Sequence, residues 1–191
     1  MRPILTCLAL ILLLSTTAAG PLEDGARLYK QGDYQGAWRL WKPLADAGNA
    51  DAQYNLALLL MNGEGVEKND REALFLFLEA ARQGHAEAQY NAGYMFAAGR
   101  GITRSYVDAK LWWERAAAQG VVAAKYNLGV LYAFGRGVGV DNEKALRLWR
   151  EAAQAGYEEA RRAMAIAYEN GWFGLEKDPQ KAKQWRQTLA E

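Results

Sequence analysis

In the stretch LYAFGRGVGVDNEKA, Leu131–Ala145, Gly135, Gly137 and Gly139 alternate, and Arg136 lies between the first two. A glycine-rich loop with a basic residue, running into a helix, can cradle a phosphate on backbone N–H groups. A second candidate chemistry lies in Glu64, Glu67, Asp70 and Glu72, which cluster around one loop. A carboxylate pair can hydrolyse a glycosidic bond. Beyond residue 20 the chain is otherwise poor in reactive groups: one serine (Ser105), two threonines (Thr103 and Thr188), one histidine (His85) and no cysteine. There is no HExxH, no GxSxG and no paired Cys/His spacing, so no catalytic triad assembles and the sequence calls for no metal and no cofactor.

The glycines have a simpler origin. Residues 50–85, 86–121 and 122–157 align without a gap as three units of 36 residues. Ala52, Ala88 and Ala124 coincide, as do Tyr54, Tyr90 and Tyr126, and Asn55, Asn91 and Asn127. Gly63, Gly99, Gly135 and Gly171 form one glycine column, and Gly48, Gly84, Gly120 and Gly156 another. A shorter unit spans 20–49, and a partial one 158–191. The opening stretch is therefore one copy of a loop whose middle residue is Glu64, Arg100 or Arg136 in turn. A phosphate site would not tolerate that change of sign, so the loop is read as a connector. The carboxylates are read as solvated loop charge that complements a helix N-terminus.

Those loops must join helices. In each unit a first helix carries small or apolar residues at helical spacing, as at Ala124, Leu128, Leu131 and Tyr132. A second starts after a capping residue, Ser105 with Asp108 or Asp178 before Pro179, and ends at a glycine. Gly93 and Gly129, with Ala57 and Ala165, mark places where a larger side chain would hold two helices apart. The second helix buries Leu76, Phe77, Ala80 and Ala81, with Trp112, Trp113, Ala116 and Ala117 in the next copy. One such hairpin cannot cover its own apolar face, so the units must stack. The expected fold is all-α: a right-handed α-solenoid of antiparallel helix pairs.

The frame A-x-x-x-[LA]-[GA]-x-x-[YFL]-x-x-G-x-G, then A-x-x-[WL]-[WF]-x-x-A-A-x-x-G, resembles the Sel-one-like repeats of the tetratricopeptide superfamily. The first unit departs from it: YKQGDYQGAWRLW, Tyr29–Trp41, lacks the long glycine loop and resembles an ordinary tetratricopeptide turn. The last departs too, with Arg162 in place of the tyrosine and Lys177–Ala182 shifted by one. Terminal caps are commonly atypical. Some exported relatives act on β-lactams, but those resemble cysteine-rich chains with a disulfide in each repeat, which this chain does not.

The resemblance implies a non-enzymatic binding module whose first helices line a concave face. By position, the inner candidates are Tyr54, Tyr90, Tyr126 and Arg162, with Asn55, Asn91 and Asn127 beside them. Leu58, Tyr94 and Val130 take the next inward position. In peptide-binding relatives an asparagine in this column grips the ligand backbone, since an amide both donates and accepts as a peptide group does. The same asparagines and tyrosines could instead serve interhelical packing. Tyr94, Arg162, Phe134 and Met61 differ between units and are candidates for specificity. Trp112, Trp149, Trp172 and Trp185 are read as core and cap residues, and His85, at a helix junction, as a surface turn residue.

Composition narrows the setting. Arg2, the apolar run Ile4–Leu14 and the small residues Thr17-Ala18-Ala19 have the layout of a cleavable signal peptide over 1–19, which implies a periplasmic or secreted protein. The run is shorter than the roughly 20 residues of a spanning helix, so no integral membrane span is expected after cleavage. Removing it leaves 22 basic and 22 acidic side chains, a balance that argues against nucleic acid as partner. The expected function is an exported adaptor for a protein or peptide segment, in assembly or signalling complexes of the cell envelope. The alternatives are glycan recognition through Tyr and Trp faces and, remotely, a carboxylate hydrolase.

Overall fold

The computed structural model describes residues 20–187; the expected leader and the last four residues lie outside it. Among the described residues there are ten helices: α1 (Pro21–Lys30), α2 (Tyr34–Asp46), α3 (Ala50–Asn62), α4 (Asp70–Arg82), α5 (Ala86–Ala98), α6 (Tyr106–Ala118), α7 (Val122–Phe134), α8 (Asn142–Gln154), α9 (Glu158–Asn170) and α10 (Pro179–Gln187). Each packs chiefly on its neighbours in sequence. Short connections therefore make each unit a helical hairpin and the chain an all-α repeat solenoid. No helix among the described residues is long and apolar enough to cross a membrane.

Local chemistry sets the helix ends. Asn69, Ser105 and Asp141 accept a hydrogen bond from a backbone N–H three residues on, at the starts of α4, α6 and α8. Such a cap contributes about 1 kcal/mol. Asp108 returns its carboxylate to the Ser105 hydroxyl rather than to the backbone. The odd helices α3, α5, α7 and α9 end on Gly63, Gly99, Gly135 and Gly171, all left-handed. Asp178 caps α10 through the Lys181 N–H at 2.9 Å, one residue later than the 36-residue period would place it.

Within a hairpin the closest contact is between glycine and tryptophan. The Trp113 indole donates to the Tyr90 carbonyl at 3.1 Å, and a Cβ at Gly93 would lie 2.6 Å from its ring. Trp149, Tyr126 and Gly129 repeat this arrangement at 3.1 and 2.5 Å. The pair is Ala57 and Phe77 one unit earlier, both in the core. Thus the larger residue on the first helix faces the smaller ring. In the first unit Trp41 crosses Gly25 and donates to the Leu22 carbonyl at 3.0 Å, a lock that the sequence reading did not anticipate. The shorter turn between α1 and α2 hides it by changing the spacing.

Between hairpins, buried glutamines carry the register. Gln53 donates to the Ala45 carbonyl at 3.3 Å and accepts from Gln83 at 2.8 Å. Gln89 donates to the Ala81 carbonyl at 3.1 Å and accepts from Gln119 at 2.8 Å. Both amides are thus satisfied despite their burial, as a buried polar group must be. Lys125 breaks the ladder in the next unit and pairs with Glu151 at 2.9 Å.

Candidate docking face

The glycine loops bind the preceding unit. Glu64 accepts a hydrogen bond from the Tyr29 hydroxyl at 3.0 Å. Arg100 grips Asp70 with two nitrogens and also donates to the Met61 carbonyl at 3.1 Å. Arg136 lies over the Tyr106 ring, 5.8 Å from its centroid. The sign of the middle residue therefore follows its neighbour, a tyrosine hydroxyl, a carboxylate or an aromatic face. The second glycine allows this approach. At Gly101 (φ +70°) a Cβ would lie 2.5 Å from the Asp70 carbonyl oxygen, and at Gly137 (φ +68°) 2.7 Å from the Tyr106 Cβ.

The same contacts separate the acidic candidates. Glu64 is held by Tyr29, Asp70 by Arg100, and Glu72 accepts from the Asn69 amide at 3.1 Å. The Arg100 hydrogen bonds hold the Asp70 carboxyl below the usual aspartate range, against a smaller opposing effect of burial. Among the described residues no group of His, Cys, Asp and Glu has the arrangement of a metal site.

The tyrosine and asparagine columns interlock across units. Tyr54 lies beside the Asn91 side chain of the next unit, and Tyr90 beside that of Asn127. All four are half-buried. Burial raises the tyrosine pKa values at 54, 90 and 126, and the asparagine side chains partly offset this at the first two. Tyr157, 5.4 Å from the Tyr126 ring centroid, is pushed up to about 12, by burial first and then by Tyr90, Glu159 and Tyr126. Asn55 instead lines a hollow with Tyr29, Lys30, Trp41 and Leu58. His85 is not a plain surface turn residue. Its ring stacks on Tyr54 at 4.4 Å, and its Nδ1 accepts the Ala88 N–H at 3.2 Å, capping α5.

Further along this layer two adjoining hollows open. One, of about 280 Å³, lies between α7 and α9 over Tyr126, Val130, Phe134 and Ile166, with Arg162 at its edge and Trp172 and Phe173 from the loop after α9. The other, of about 240 Å³, lies between α5 and α7, with Tyr94, Asn127, Val130 and Arg136 in its lining. Val130 is shared, so the hollows form one track a helix apart. Tyr94 (42% exposed), Phe134 (56%), Ile166 (42%) and Trp172 (52%) show that large apolar groups lie uncovered along it. Of the tryptophans read as core and cap residues, Trp112 and Trp149 are buried, Trp185 is half-buried and Trp172, in the C-terminal unit, is exposed. Arg162 is exposed and paired with Glu158 on its own helix.

Phe173 and Ile166 were not anticipated as lining residues. Phe173 stands where the three full units have Gly65, Gly101 and Gly137, and keeps the left-handed backbone (φ 60°) without being glycine. That conformation costs a non-glycine residue roughly 1–2 kcal/mol. The ring packs 5.2 Å from Trp149 and 5.8 Å from Phe134, and forms a wall of the larger hollow. The signal was the loss of a glycine from its column.

The stacked hairpins define the class: a helical-repeat protein of the tetratricopeptide type. The Sel1 repeat family model matches residues 50–85, 86–121, 122–157 and 158–191, and the chain belongs to that family. Sel1 repeat proteins are generally protein-interaction scaffolds. A Sel1 repeat protein from Oxalobacter formigenes is 34% identical with a TM-score of 0.77, over 88% of this chain and 69% of that one. A protective antigen of uropathogenic Escherichia coli with an SLR fold is 33% identical with a TM-score of 0.74, over 80% of this chain and 32% of that one. This chain thus spans about a third of the antigen. A Sel1 repeat protein from Klebsiella pneumoniae, 22% identical with a TM-score of 0.57 over 88% of this chain and 84% of that one, shares the fold. No curated protein matches the sequence.

Proposed function

We propose that this protein is a non-enzymatic scaffold that docks an extended segment of a partner protein along the face made by α5, α7 and α9. One observation carries the reading: four large apolar side chains stand uncovered around two adjoining hollows on one face. Contiguous exposed apolar surface of this kind marks interaction sites. The family's role as a protein-interaction scaffold supports it. Tyr54, Tyr90, Asn91 and Asn127 serve chiefly to align the helices. Asn127 keeps amide capacity beside the smaller hollow, because its side chain offers two donors and an acceptor and neighbours Tyr90's polar edge. The leader pattern of residues 1–19 supports export, with work in envelope complexes. Glycan recognition is the second reading, favoured by the half-exposed Trp172 beside Phe134.

In-cell photo-crosslinking tests the proposal. A photoreactive phenylalanine replaces Tyr94 or Phe134, with Arg147, exposed on α8, as the control position. A discrete protein adduct from 94 and 134, absent at 147, supports peptide docking. Adducts that carry sugar favour the second reading, and adducts from 147 alone overturn both.

A further inference from the structure

The two hollows differ in chemistry, and the difference names the ligand. The larger is walled by Phe134, Ile166, Trp172 and Phe173, and its arginine, Arg162, is already neutralised by Glu158. The smaller has no carboxylate in its lining and includes Arg136. That guanidinium is exposed and lies 5.8 Å from the Tyr106 centroid and 5.5 Å from the Phe134 centroid. Arg104 also approaches the Tyr106 ring, 6.0 Å from its centroid. Among the described residues neither arginine has an acidic partner, in contrast to Arg100 one unit earlier. A guanidinium stacked on a ring is held in place, yet it keeps its in-plane N–H groups for a carboxylate.

Resting on the docking face proposed above, we infer that this face selects an extended peptide with an acidic side chain and a large apolar side chain. The carboxylate pairs with Arg136, and the apolar group fills the hollow between α7 and α9. Arg136 lies 5.5 Å from the Phe134 ring, which walls the larger hollow, and an extended chain advances about 3.3 Å per residue. The two anchors are therefore a few residues apart, along either direction of the peptide. The acidic group is an internal Asp or Glu side chain, since an extended segment crossing both hollows continues past Arg136.

Selection of a random dodecapeptide library tests this, with each peptide displayed as an internal fusion without a free C-terminus. Residues 20–191 with a free Gly20 serve as bait. The wild type is expected to enrich an aromatic or aliphatic residue two to four positions from Asp or Glu. A synthetic peptide of the enriched sequence should bind Arg136→Glu at least tenfold more weakly, the range of one charge-assisted hydrogen bond. It should bind Trp172→Ala more weakly by a similar factor, and Arg147→Glu unchanged. Raised salt should weaken binding to the wild type and, by screening the new repulsion, strengthen binding to Arg136→Glu. Enriched apolar peptides without an acidic preference, or binding indifferent to Arg136→Glu, overturn the inference but leave the docking face standing. No enrichment also overturns it. The docking face is judged separately by the crosslinks from 94 and 134.

Discussion

Arg100 and Arg136 hold the same place in consecutive units and have different surroundings. Arg100 is tied to Asp70 and the Met61 carbonyl, whereas Arg136 leans on two rings and leaves its charge free. The difference arises one unit back, where Asp70 becomes Tyr106. A repeat protein therefore keeps its buried columns and converts a structural position into a binding one by changing a neighbour. The shared columns and the released positions should respond differently to mutation.

The largest effect is expected in the shared core. Gly93→Ala should destabilise by about 2–3 kcal/mol, because the new Cβ meets the buried Trp113 ring, even after the helix gains from alanine. The double variant with Trp113→Phe recreates the Ala57–Phe77 pair and should recover part of that loss. Urea unfolding of the two singles and the double gives the coupling directly.

A smaller effect separates the two loops. Arg100→Ala should cost about 1–2 kcal/mol at pH 7, since it removes a partly buried bidentate pair. Arg136→Ala should cost less than about 0.5 kcal/mol. Asp70 has a depressed folded-state pKa, so its contribution is present above the ordinary aspartate value and is lost as pH falls through the folded value. The gap between wild type and Arg100→Ala should therefore close below about pH 4. Equal costs for the two arginines would erase the distinction.

The tyrosine cluster sharpens the comparison at the other end of the pH scale. Burial pushes the Tyr157 hydroxyl up to about 12, so its stabilising contribution is present below pH ~10 and is lost as pH rises toward the folded-state value. Tyr157→Phe should flatten that part of the curve, as followed by circular dichroism against pH. A small net effect on stability is expected from Phe173→Gly, within about 1 kcal/mol, because release of left-handed strain offsets loss of a half-buried ring. Its effect on peptide binding should nevertheless match that of Trp172→Ala. Calorimetry on both quantities separates the two roles.

The repeat made much of this protein legible in its sequence. The period placed the odd helices, the capping residues placed the even ones, and the columns at Gly93 and Gly129 marked where helices touch. These are local or strictly periodic demands: a cap needs a side chain within three residues, and a close crossing needs a missing Cβ. The partners of those positions are set by neighbouring units, which the sequence shows only as letters in a column. Only the stacked structure set Tyr90 beside Asn127, made Gln53 and Gln89 buried bridges, and left Trp172 exposed at the hollow that Phe134 also lines. It also bound Arg100 and left Arg136 open, because the fate of a charge depends on what lies within a few ångströms of it rather than on its place in the repeat.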